Sequence, residues 1–166
     1  MKARPNPVRW YLLTAAVVLL ALTAALISAT RMIRRPFAHG DFGVYLQASR
    51  LLTAHENIYT IPTPPESGSL YYVYPPLLAF LFIPLTWISE NAAIVLWCMF
   101  SVFLVLWIVR RSHEVLTGLP LSQLKPATRW VVGCLSVLYS ARYILHHLDR
   151  GQANISAMAL LLLGMS

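Results

Sequence analysis

"YVYPPLLAFLFIPLTWISE", Tyr72–Glu90, decides how the chain is laid out. It is apolar enough for lipid, yet short, and it carries Pro75, Pro76 and Pro84. As a helix, residues 75–89 would reach about 22 Å, against a hydrocarbon core of about 30 Å. Pro84 removes a backbone hydrogen bond from a helix interior. Pro75 and Pro76 suit a helix start. If the stretch crossed a bilayer, the loop at 110–129 would lie outside, with eight Lys and Arg external and five internal. If it stays on one face, seven are internal and six external, which the positive-inside rule favours. The sequence therefore predicts a membrane-dipping helix over 75–89 on the outer face.

That expectation places the rest of the chain. The 166 residues are 58% hydrophobic and 11% charged. An ordinary soluble domain carries about a quarter charged residues. The composition predicts an all-α integral membrane protein, a few spanning helices with one long outer loop. The net charge of +7 could suit nucleic acid, but the basic residues flank apolar spans and form no soluble face. No nucleic-acid partner is expected; membrane lipid is.

Trp10–Ala29, "WYLLTAAVVLLALTAALISA", is uncharged and long enough to span, longer than the apolar core of a cleaved leader. It predicts a first span over 10–30, with Lys2, Arg4 and Arg9 holding the N-terminus in the cytoplasm. An extracytoplasmic loop follows over 31–90. Within it, Phe42, Tyr45, Leu46, Ser49 and Leu52 recur at helical spacing, predicting an amphipathic interface helix over 42–54. "TIPTPPESGS" (60–69) has the composition of an irregular surface loop. A second span is expected over 91–109, stopped by Arg110 and Arg111, then a cytoplasmic loop over 110–129. A third span over 130–146 contains Arg142. "HHLDRGQAN" is a polar break, giving an outer turn at 147–154, and a fourth span starts over 155–166. The apolar run still open at Ser166 predicts a longer parent protein, in which this piece alone would be inactive.

Cys98 and Cys134 lie in apolar spans with no CxxC and no His/Cys cluster. They read as small hydrophobes, and no metal is expected. Asp41 opens the amphipathic helix. It can cap that helix through backbone N–H groups, or act as a general base toward a hydroxyl, and the two roles can coexist. One carboxylate suffices for glycosyl transfer from a lipid phosphate, because the phosphate leaves without needing a proton. Hydrolytic glycosidases need two. Arg31, Arg34, Arg35, Arg50 and Arg150 could hold that phosphate or anchor lipid headgroups. His146 and His147 could assist a phosphate or hydroxyl, or simply be solvated. Gln152 and Asn154 could bond a sugar or cap the next span. Tyr74 could stack on a sugar ring or belong to an aromatic belt. Walker, GxGxxG, HExxH and GxSxG patterns are all missing, which leaves soluble nucleotide chemistry without support.

Taken in order, "HGDFGVYLQASRLLTAHENIYT", "YVYPPLLAFLFIPLTWI", a tryptophan-bearing span and "GQANISAMALLLLG" resemble a known family. The combination D-x-x-x-Y, Y-P-P-L-L and G-Q-x-N is similar to the N-terminal part of the polytopic GT-C glycosyltransferases. It is closest to family 87, the polyprenyl-phosphate-mannose-dependent mannosyltransferases, formerly a domain of unknown function. The resemblance implies a many-helix GT-C-type bundle in the plasma membrane with an extracytoplasmic active site. It also implies an inverting transfer from a polyprenyl-phosphate sugar, mannose in this family, to a lipid or glycan acceptor. The lipid-linked sugar is a co-substrate, and no cofactor is implied. Asp41 matches the catalytic aspartate, with Tyr45, Arg50, Tyr74, His147, Arg150, Gln152 and Asn154 as candidates for substrate binding. Many relatives carry D-x-D or E-x-D here. This chain has His39 and Gly43 instead, which argues against a two-carboxylate metal clamp. The competing readings are a non-enzymatic membrane protein, such as a transporter component or assembly partner, and an O-antigen-type ligase using diphosphate-linked donors.

Overall fold

The computed structural model describes residues 7–34, 40–59 and 72–165. The Pro-rich stretch at 60–69, Arg35 and the two basic residues Lys2 and Arg4 lie outside the described residues. Every regular element described is helical: α1 (Pro7–Ile33), α2 (Gly40–Thr53), α3 (Pro76–Phe82), α4 (Glu90–Thr117), α5 (Pro126–Arg150) and α6 (Asn154–Gly164). Short 3₁₀ turns cover Ile83–Trp87 and Leu121–Gln123.

Two helices are long and apolar enough to cross a membrane by length and composition, over Ala15–Ile33 and Glu90–Thr117. The third expected span behaves differently. α5 has the length, but Arg129, Arg142, His146, His147, Asp149 and Arg150 make it amphipathic rather than uniformly apolar.

α1, α4 and α5 form the body. The C-terminal half of α1 (Ala25, Ala29, Met32) shares a core with the first turns of α4 (Ala93, Ile94, Trp97, Cys98). Farther down, Val17 and Leu20 face Leu106, Val109 and α5's Val137 and Leu138 across a groove. α1 and α4 are thus antiparallel, and α5 runs parallel to α1. α6 turns back along α4.

The described chain between α1 and α4 stays at the end where α1 finishes and α4 begins. α2 packs on α3 and on the 3₁₀ turn, which in turn meets α4. Ser49 ties the layers together, its hydroxyl lying 2.7 Å from the carbonyls of both Tyr45 and Ala79 and sharing its one proton between them. The Tyr72 hydroxyl donates to the Pro75 carbonyl (2.7 Å) and accepts the Ala79 N–H (3.0 Å), pinning the first turn of α3. The stretch expected as one helix over 75–89 is two pieces. α3 starts with Pro76 in its first turn and gives way to 3₁₀ geometry beside Pro84, which has no N–H to continue the α ladder.

Other boundaries also move. The interface helix begins at Gly40 rather than at residue 42, which puts Asp41 in its first turn. α4 does not stop at Arg110 and Arg111, and residues 110–117 are helix rather than loop. The two arginines pair with Glu114 on the same helix, Arg111 at 3.0 Å and Arg110 at 3.7 Å. The helix ends only where Gly118 takes a left-handed conformation (φ 68°) and donates to the Glu114 carbonyl. α5 likewise begins at Pro126 and continues past residue 146 to Arg150, so that only 151–153 separate it from α6, where a turn over 147–154 was expected. Charges end an apolar run, but caps end a helix.

Candidate functional site

Two glycines bring distant parts of the chain together. Gly40 (φ 55°) opens α2 with its Cα against the backbone carbonyl of Arg150. Gly151 (φ 65°) closes α5 against Phe42 and the end of the Met32 side chain. A Cβ at either position would drive into its neighbour, at Gly40 into backbone that cannot swing away. Both also need a left-handed backbone that side chains disfavour. The start of α2 and the α5–α6 turn are therefore locked face to face.

Asp41 sits half-buried in the first turn of α2, one helical turn from Tyr45 on the same face. Tyr45 is fully buried. Its hydroxyl accepts the Ala153 N–H at 3.3 Å, a bond spanning 108 positions of sequence. Its ring meets Tyr74 edge-on at 5.1 Å and Phe82 at 5.1 Å. Burial raises the Tyr45 pKa, helped by a hydrogen bond with Tyr74 and by the nearby negative charge of Asp41. Tyr45 is thus a neutral phenol that ties Asp41's helix to the turn. Phe42, Phe82 and Trp97 stack beneath it, with centroids 4.7–6.0 Å apart.

The remaining candidates divide. His147, Gln152 and Asn154 line a second concavity, between α4, α5 and α6. The Asn154 amide N–H donates to the Gln152 side-chain oxygen at 3.3 Å. Arg150 contributes its carbonyl to the Gly40 contact, while its side chain is exposed. Arg50 lies farther along α2, and its guanidinium reaches Glu90 at 3.9 Å. Arg31 pairs with Asp149 at 3.2 Å. Asp149 also accepts from the buried Ser28 hydroxyl at 2.8 Å, clamping α1 to α5 just below the turn. This clamp and the Gly40–Arg150 contact escaped sequence reasoning. The available signals were a Gly on each side of the contact and an acid placed beside a basic pair. Cys98 is buried and Cys134 half-buried, both as free thiols. Among the described residues, no three His, Cys, Asp or Glu side chains gather as a metal site.

The arrangement offers a half-buried carboxylate, a fixed phenol and a hydrogen-bonding turn at one end of a helical bundle. The family model described as glycosyltransferase family 87 matches residues 72–166. The match takes in Tyr74, His147, Arg150, Gln152 and Asn154, and begins after Asp41, Tyr45 and Arg50. No curated protein and no solved structure matches the chain. With more than half its length covered by that model, the chain belongs to glycosyltransferase family 87.

Proposed function

We propose that the chain is the N-terminal part of an inverting membrane glycosyltransferase. It moves a sugar, mannose, from a polyprenyl-phosphate donor to a hydroxyl of a lipid or glycan acceptor at the extracytoplasmic face of the plasma membrane. α1 and α4 cross the bilayer with the N-terminus inside, α5 and α6 complete the local bundle, and α2, α3 and the 151–153 turn lie at the outer surface. The observation that carries this reading is the contact between the Asp41 helix and the turn of the family-matched region, through Tyr45 and Ala153 and through Gly40 and Arg150.

In this mechanism Asp41 accepts the proton of the acceptor hydroxyl as its oxygen attacks the anomeric carbon. The bond from that carbon to the phosphate oxygen breaks on the opposite face, and its electron pair leaves with the polyprenyl phosphate. One displacement inverts the configuration. The phosphate leaves without protonation, so the reaction needs one carboxylate rather than two. Arg150, exposed beside the turn, meets the departing charge. Tyr45 fixes the helix on which Asp41 rides, and Tyr74 is half-buried against it. No metal or other cofactor has a part in this scheme.

The test is Asp41→Asn in the full-length parent, assayed with polyprenyl-phosphate sugar. Transfer should fall by about 10²–10⁴-fold, with membrane insertion unchanged. Transfer at the parent's rate would remove Asp41 from the chemistry. A parallel assay with a polyprenyl-diphosphate donor should give no product, and product there would favour a ligase of the O-antigen type.

A further inference from the structure

His147 is 5% exposed, and among the described residues its Nε2 has no hydrogen-bond partner. A buried polar atom left in that state marks a place where a partner belongs. The imidazole lines a cavity of about 320 Å³ between α4, α5 and α6, at the lower end of the range for small-molecule sites. Gln152 and Asn154 stand at the same mouth, and Ser140 lies along the wall. The Asn154–Gln152 bond uses one N–H and one carbonyl of the two amides. Each amide holds more hydrogen-bonding capacity than that. Val105, Ile108 and Met158 give the wall its apolar stretches, beside Ser136 and Tyr143.

We infer that this groove binds the neutral, hydroxyl-bearing headgroup of a lipid, with the alkyl chain running down against α4. Among the described residues the lining contains no Asp or Glu to hold a cation and no Lys or Arg to hold a phosphate. His147 supplies no positive charge either, because burial, reinforced by the neighbouring His146, lowers its pKa to about 4. The His146 and His147 rings, the two amides and the Ser136, Ser140 and Tyr143 hydroxyls match sugar hydroxyls, which both donate and accept. The 151–153 turn separates this groove from the Asp41 side. The Ala153 N–H is committed to Tyr45, while the flanking Gln152 and Asn154 side chains face the groove. An alkyl glycoside here is the transferase's lipid acceptor or a resident glycolipid. Naming it the acceptor rests on the proposed function; the binding site itself does not.

The experiment uses the 166-residue chain with ¹⁵N-labelled histidine in phosphatidylcholine nanodiscs. It is titrated below micelle-forming concentrations with octyl glucoside, octyl phosphate or octanol. The His147 ring signal is assigned by its loss in His147→Gln. Octyl glucoside should move that signal saturably, and bind at least about tenfold tighter than octyl phosphate or octanol. Asn154→Ala, at an exposed position, should weaken glucoside binding by about tenfold while leaving the fold intact. No saturable shift, or equal or tighter binding of the phosphate or of octanol, overturns the inference. In the full-length parent, competition of octyl glucoside with sugar transfer marks the groove as the acceptor site. Binding without competition marks a resident glycolipid, and the site stands either way. Saturable binding by a parent that transfers no sugar would sink the transferase reading alone.

Discussion

The two ends of the bundle are built differently. At the end holding α2, α3 and the 151–153 turn, Phe42, Tyr45 and Ile94 are fully enclosed, and rings, glycines and hydroxyl bonds fix each element against two others. Toward the other end α5 carries Leu135, Leu138 and Tyr139 at 60%, 70% and 89% exposure, and an apolar groove of about 750 Å³ opens between α1, α4 and α5. Close packing in a bundle can come from side chains meeting side chains, whereas an apolar face left open needs some other apolar medium beside it. The chain concentrates its interlocking contacts where the Asp41 helix meets the α5–α6 turn, and leaves the other end loosely packed.

The sharpest way to break this contrast is to put a methyl group into the tightly packed end. Gly40→Ala and Gly151→Ala add a Cβ where the Arg150 backbone or the Phe42 Cβ already stands. Each combines the left-handed backbone penalty with overpacking, on the order of 3 kcal/mol. Thermal unfolding in detergent should drop sharply for both. If either variant unfolds with the parent, the contact between α2 and the turn is not as described.

Tyr45→Phe comes next. It leaves the ring contacts but strands the Ala153 N–H, a loss of about 1–3 kcal/mol. The same melt measures it, and Tyr139→Phe on the exposed side should change nothing beyond error.

A third effect depends on pH. The folded pKa of His147 is depressed to about 4 from an ordinary 6.5. Between those values the unfolded chain binds the extra proton, so the folded state loses stability as pH falls from about 6.5 toward 4. Ring ¹⁵N shifts should show His147 neutral at pH 6. A midpoint near 6.5 would mean that the imidazole is solvated.

The smallest effects are expected from exposed features. The Arg50–Glu90 pair, at 3.9 Å with both groups more than a third exposed, should contribute no more than about 0.5 kcal/mol in a double-mutant cycle. Gly133→Ala, in the middle of α5 with open space around it, should raise stability by about 0.5–1 kcal/mol. A loss at Gly133 equal to that at Gly40 would erase the distinction between the two ends.

Much of this layout was legible in the sequence, for local reasons. The uncharged run before Arg31 and the one ending at Arg110 announce α1 and α4. The Phe42, Tyr45, Ser49 spacing announces α2, and Gly151 announces the turn. Helix ends were less legible, because Arg110 and Arg111 looked like a stop while the real terminator, Gly118, came seven residues later. His146 and His147 looked like part of a polar break, yet both belong to α5, and His147, in its last turn, points into the protein. Least legible were contacts between residues more than a hundred positions apart. Neither Ser28–Asp149 nor Tyr45–Ala153 leaves a local pattern. Arg50 carried the charge expected of a phosphate ligand, and nothing in its neighbourhood of sequence pointed to Glu90.

The account depends most on Asp41 and the Gly151–Asn154 turn sharing one side of the membrane. Single cysteines at positions 41, 154 and 123, in a chain with Cys98 and Cys134 replaced by alanine, can be probed with a membrane-impermeant maleimide. Positions 41 and 154 should label in intact cells, and position 123, in the turn at the far end, only after permeabilisation. Labelling of 41 and 154 from opposite sides would contradict the account.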